Sequence, residues 1–97
     1  MNNLNKFKNP YYKKIRGSVL LELTCAHCKT ALLHYQKVGK GNVRVLHLER
    51  IVAATFDCFK QAKQLTCPTC GTRLGLFDEK HFGYRMIRGH TMQRFLF

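Results

Sequence analysis

Two pairs of cysteines, each with two residues between its members, constrain this chain more than any other feature: Cys25-Ala26-His27-Cys28 and Cys67-Pro68-Thr69-Cys70. Four thiolates about 2.3 Å from one centre make a tetrahedral zinc site. Two intervening residues let one tight turn aim both sulfurs at a point, and a second turn set beside the first by flanking hairpins closes the site. Pro68 presets the φ of the second turn, and Gly71 permits a positive φ where the chain leaves it. Lys29 stands at the equivalent place after the first turn. Each pair follows a Leu-Thr step, Leu23-Thr24 and Leu65-Thr66, so the chain reads as two equivalent strand-to-knuckle units. The expectation is one structural zinc ion on Cys25, Cys28, Cys67 and Cys70. A closed set of four thiolates leaves no position for a substrate, so the metal's work is folding. Such sites contribute about 10–16 kcal/mol in zinc-finger peptides, more than a small core supplies.

The alternative use of paired cysteines is redox chemistry or disulfides. A thioredoxin-like motif needs a single pair in a strand–helix setting, which is not evident here. The opening, MNNLNKFKNP, has Lys6 and Lys8 but no apolar stretch or small-residue cleavage site after them, so it does not read as a secretory signal. The expected compartment is the cytoplasm, where disulfides are rare. Cys58, between Asp57 and Phe59, reads as a small buried apolar residue. The histidines, His27, His34, His47, His81 and His90, are scattered, and a four-thiolate set needs none of them.

A chain of 97 residues is expected to form one domain and is too short for a barrel or a doubly wound sheet. No apolar run approaches the ~20 residues of a membrane-spanning helix. Period-two alternation places strands over Ser18–Thr24, Ala31–Val38 and Val43–Leu48. Gly39-Lys40-Gly41-Asn42 reads as a hairpin turn between the last two. Residues 50–63 mix strand and helix signals; the reading adopted is a strand, then a polar loop around Lys60–Gln64. Tyr84–Ile87 and Thr91–Phe97 read as a final hairpin around Gly89. The expected fold is therefore mainly β: small antiparallel sheets carrying two CxxC knuckles over residues 18–97, behind a basic N-terminal tail over residues 1–17.

Charge narrows the function. Lys and Arg number 17 against 5 Asp and Glu, a formal net charge of +12. Such an excess favours polyanionic partners, nucleic acid above all. Residues 1–16 carry Lys6, Lys8, Lys13, Lys14 and Arg16 without an acid, and Arg85, Arg88 and Arg94 follow the last acid, Glu79. With Lys40 on its turn, these are the candidate phosphate contacts, and Tyr11, Tyr12 and Tyr84 the candidate stacking groups. Tyr11 and Tyr12 have a second use, stapling the tail to the domain. Gly39-Lys40-Gly41 lacks the pattern of a phosphate-binding loop. Catalysis finds no signature: there is no Ser/His/Asp order, HExxH motif or paired carboxylate, and no Glu in the H-x-E setting of a zinc deaminase. The sequence thus reads as non-catalytic.

Cys67-Pro68-Thr69-Cys70-Gly71-Thr72, with Leu74-Gly75 and a basic, aromatic tail after it, resembles the second zinc knuckle of the β-tent superfamily, which includes Yippee proteins and the thalidomide-binding domain of cereblon. The likeness covers Leu65–Gly75. It implies a zinc-pinned β fold and a module that recognises a protein or small ligand, with Phe77, Phe82 and Tyr84 as the residues to line a pocket. The chain has no Trp, so the family's aromatic cage has no counterpart. A broader resemblance is to zinc ribbons, which occur in many transcription and translation proteins. Methionine sulfoxide reductase B also has two zinc-binding CxxC pairs, but its catalytic cysteine follows the second pair, and here none follows Cys70. Two functions stand as expectations: binding of RNA or DNA or docking on a nucleoprotein complex, and β-tent-type recognition.

Overall fold

Alternation along the chain yields eight strands: β1 (Val19–Cys25), β2 (Ala31–Lys37), β3 (Val45–His47), β4 (Ile51–Ala54), β5 (Gln64–Thr66), β6 (Arg73–Asp78), β7 (Gly83–Met86) and β8 (Thr91–Phe95). The computed structural model describes residues 9–58 and 63–96. Short 3-10 turns, Leu48–Arg50 and Glu79–His81, are the only helical elements described. No helix among these residues is long and apolar enough to cross a membrane. The strands form two antiparallel four-stranded sheets, ordered β4-β2-β1-β8 and β3-β7-β6-β5.

The period of two sets what faces inward. In β1, Leu21, Leu23 and Cys25 are buried, and their cross-strand partners on β2 include Leu33 and Tyr35. The second sheet contributes Leu46, Leu65, Leu74 and Tyr84, all but sealed from solvent. Burial of each such leucine is worth roughly 1.5–3 kcal/mol. The two largest core side chains also tie the halves together through their hydroxyls. Tyr35 Oη donates to the Val45 carbonyl (3.3 Å) and accepts the His47 N–H (2.9 Å), joining the first sheet to β3 of the second. Tyr84 Oη donates to the Cys58 carbonyl (3.1 Å). Burial is also the main reason the Cys58 thiol is pushed up to about 12, which makes it the inert apolar residue its context suggested.

Both glycine-bearing turns do something other than close a hairpin. β2 does not pair with β3, because its edges are taken by β1 and β4. The Gly39–Asn42 turn instead carries the chain into the second sheet, where Val45, Leu46 and His47 pair with Arg85, Tyr84 and Gly83. β7 likewise has β6 and β3 on its two edges, so the turn around Gly89 sends β8 back to the first sheet to pair with β1. The left-handed glycines at 39, 41 and 89 serve these crossings as readily as they would a hairpin. The third expected strand also shortens to β3, and Leu48 opens a 3-10 turn that leads into β4. The expected loop at Lys60–Gln64 lies partly outside the described residues, and Gln64 opens β5.

The described part of the basic segment lies against the first sheet. Asn9 Nδ2 donates to the carbonyls of Leu48 and Ile51, each at 2.7 Å. Lys13 N–H donates to the Glu49 carbonyl. The buried Gln36 side chain accepts the Ile15 N–H and donates to the Lys13 carbonyl. The Tyr11 ring meets Phe82 edge-on, 4.9 Å between centroids. Of the two uses open to that tyrosine, stapling is the one observed.

Candidate metal centre and the cationic surface

The β1–β2 and β5–β6 hairpins each end in a knuckle, and the two knuckles meet. All four Sγ atoms of Cys25, Cys28, Cys67 and Cys70 lie within 4.8 Å of one another. Cys25 and Cys70 are 3.6 Å apart and Cys28 and Cys67 3.5 Å. A tetrahedron of sulfurs about 2.3 Å from a metal has edges of about 3.8 Å, so the four fit one ion. None of the described cysteines is in a disulfide.

The knuckles repeat each other atom for atom. Lys29 N–H donates to the Cys25 carbonyl, and Gly71 N–H to the Cys67 carbonyl. Cys25 N–H donates to the Thr30 carbonyl, and Cys67 N–H to the Thr72 carbonyl. Lys29 and Gly71 both have positive φ, 66° and 78°. The lysine holds this unfavourable conformation with its ammonium on the Ala26 carbonyl, 2.8 Å away. In each unit the ladder slips just before the knuckle, between Leu23 and Thr24 and between Leu65 and Thr66. In each, the first cysteine is buried and the second reaches towards solvent. The close sulfur pairs link the first cysteine of one knuckle to the second of the other, as a local two-fold relation requires.

Two ligand-supporting residues escaped the sequence reading. Thr30 Oγ1 lies 3.0 Å from Cys28 Sγ, and Thr72 Oγ1 3.0 Å from Cys70 Sγ. Hydrogen bonds from Thr30 draw the Cys28 thiol down to about 6, and Thr72 lowers that of Cys70 in the same way. Burial pushes Cys67 up to about 11, although the amides of Thr69 and Cys70 favour its thiolate. Their signal was present: the repeat runs on from Leu-Thr-Cys through Cys28-Lys29-Thr30-Ala31-Leu32 and Cys70-Gly71-Thr72-Arg73-Leu74. Hydroxyls that hold a ligand's charge and direction matter by about 10–100-fold in metal affinity. The T30V/T72V double variant is therefore expected to bind the metal at least about tenfold more weakly, measured by chelator competition, with the strand content unchanged.

The candidate phosphate contacts are carried by several elements. Lys6 and Lys8 lie outside the described residues. Lys13, Lys14, Arg16, Lys40 and Arg88 are exposed. Arg85 pairs with Asp78 (3.0 Å) and Arg94 with Glu22 (2.9 Å), and both guanidinium groups stay largely in solvent. Asp78 also accepts from His81 Nδ1, the main reason its carboxyl is held below its ordinary range. Among the stacking candidates, Tyr11 and Tyr12 are exposed, whereas Tyr84 is sealed in the core and reaches no base. The pocket expected from Phe77, Phe82 and Tyr84 is not assembled: Phe77 packs against Tyr84 inside, while Phe82 faces solvent beside Tyr11. Comparison with family models, curated proteins and solved structures finds no match to this chain.

Proposed function

We propose that this chain is a non-catalytic, zinc-stapled β module that holds a cationic surface against nucleic acid or a nucleoprotein complex. The observation that carries this reading is the charge balance on a frame whose four clustered cysteines are placed to take one metal ion. If each of the 5 acids took a cation, 12 of the 17 would remain. A divalent ion on four thiolates would offset about two of these. Zinc is the metal that best suits a closed set of soft thiolates with no redox partner nearby. Paired knuckles at the tips of two hairpins, one per sheet, support the likeness to zinc-ribbon and β-tent domains. The recognition mode of the β-tent proteins finds less support, because the three aromatic residues it would use face different ways.

The test is salt dependence. The zinc-loaded protein should bind labelled single-stranded oligonucleotides, and log K should fall against log salt with a slope of about −0.7 per phosphate engaged, near −3 for about four phosphates. Absence of affinity at low salt for single-stranded or duplex RNA and DNA alike would remove this reading.

A further inference from the structure

The two sheet-changing connections, residues 38–44 and 87–90, come together at one side of the molecule and enclose a cleft of about 900 Å³. That is ample for a nucleotide or two, at the upper part of the range of roughly 300–1,000 Å³ typical of ligand sites. Its floor is Leu23 of β1 and Gln93 of β8, which face each other across the ladder. Arg44, Arg85 and Arg88 are among its lining residues, and no Asp or Glu is. All three arginines are exposed. The walls are held by bonds that leave the guanidinium groups outside. Gln93 accepts the Val43 N–H and donates to the Gly41 carbonyl, and Met86 N–H donates to the Arg44 carbonyl. Arg85 Nη2 donates to Asp78, which lies outside the cleft, and the alternation of β7 sets the Arg85 side chain on the face opposite Met86, so Arg44 and Arg88 are the guanidinium groups left to the cleft. The lining is polar and apolar in equal parts, with Val43, Met86 and Ile87 among the arginines. Phe95 stands two residues beyond Gln93 on the same face of β8 and is 58% exposed.

Two forked cations beside a hollow of mixed polar and apolar lining, with an exposed ring near it, match a strand whose phosphates lie outside and whose bases turn inward. A duplex offers its phosphates on a convex surface with the bases stacked away. Building on the nucleic-acid reading above, we infer that this cleft is the binding site for single-stranded nucleic acid, with Arg44 and Arg88 on its phosphates. Arg44, a basic neighbour of Lys40 in the sequence, reaches the site because the turn before it crosses between sheets.

Fluorescence anisotropy of the full, zinc-loaded chain with single-stranded 10-mers of RNA and of DNA tests the assignment. Three proteins are compared: the wild type, R44Q/R88Q in the cleft, and K13Q/K14Q, which removes the same charge from the N-terminal segment. Zinc content shows that each is folded. The cleft variant should lose about tenfold or more in affinity, with the salt slope shallower by about 1.4, twice the ~0.7 per phosphate of a single strand. The segment variant should lose no more than about threefold. Equal losses in the two variants, or wild-type binding by R44Q/R88Q, would overturn the cleft while the nucleic-acid reading stood. A wild type that binds neither oligonucleotide at low salt would remove both. The RNA and DNA arms report whether the 2′-hydroxyl is read.

Discussion

Removing the metal should unfold this chain. Two-state domains of this size have net stabilities of about 5–15 kcal/mol, and a thiolate zinc site supplies about 10–16 kcal/mol in peptides that fold only around it. The site here also lies where the two sheets meet: one hairpin contributes Cys25 and Cys28, the other Cys67 and Cys70. Without the ion, four sulfurs drawn within 4.8 Å of one another lose the charge that holds them together. A strong chelator under reducing conditions should therefore abolish the strand signal in circular dichroism and collapse the amide dispersion in NMR, and added zinc should restore both. Single replacements should rank by burial. Cys25→Ser and Cys67→Ser strip ligands at 0% and 2% exposure and leave a hydroxyl in the core, so they should fold poorly even with excess zinc. Cys28→Ser and Cys70→Ser, nearer the surface, should retain weakened binding. An apo protein with the melting curve of the zinc-loaded one would show that the hydrophobic core suffices and the cluster is incidental.

What the sequence disclosed about this centre was local chemistry. A CxxC turn aims two sulfurs whatever surrounds it, so the four ligands could be read without a fold. The strands around it could be read as well, since Leu21, Leu23 and Cys25 alternate with polar neighbours. Which strands pair was less legible. Gly39-Lys40-Gly41-Asn42 announces that the chain turns, but where it goes next depends on which edges are free. The edges of β2 are filled by β1 and by β4, and β4 arrives only after the turn and β3. Tyr84 misled for a related reason. Beside Arg85 it resembled a stacking group, yet its side of β7 is fixed by pairing with Leu46 and Phe77. The sheet exchange that hid these pairings is also what creates the cleft, so the meeting of Arg44 with Arg88 at one site could not have been read from composition or spacing.

That exchange rests on β3 holding its register on β7, and Gly83→Ala should break it. Gly83 pairs with His47, and a Cβ built there would stand 2.1 Å from the Leu46 carbonyl oxygen, 2.8 Å from its carbon and 2.9 Å from the His47 Cα. All three are backbone atoms, so no side chain can swing aside. β3 has only three residues and lies at the edge of its sheet, so it is the element that must yield. Moving it pulls the fully buried Leu46 out of the core and separates Tyr35 Oη from Val45 and His47. Overpacking alone costs about 1–3 kcal/mol, and buried groups left unpaired add about 1–3 kcal/mol. The expected destabilisation is thus about 3–5 kcal/mol by urea titration of the zinc-loaded protein. Gly89→Ala is the control: its Cβ meets nothing within 4 Å, and the left-handed backbone alone should cost about 1–2 kcal/mol. β3 carries no metal ligand, so the G83A protein should still hold one zinc while losing affinity for single strands, because Arg44 leads directly into the displaced strand. Wild-type stability in G83A would mean that β3 does not pair with β7 in this register, and the cleft would lose the wall that Arg44 builds.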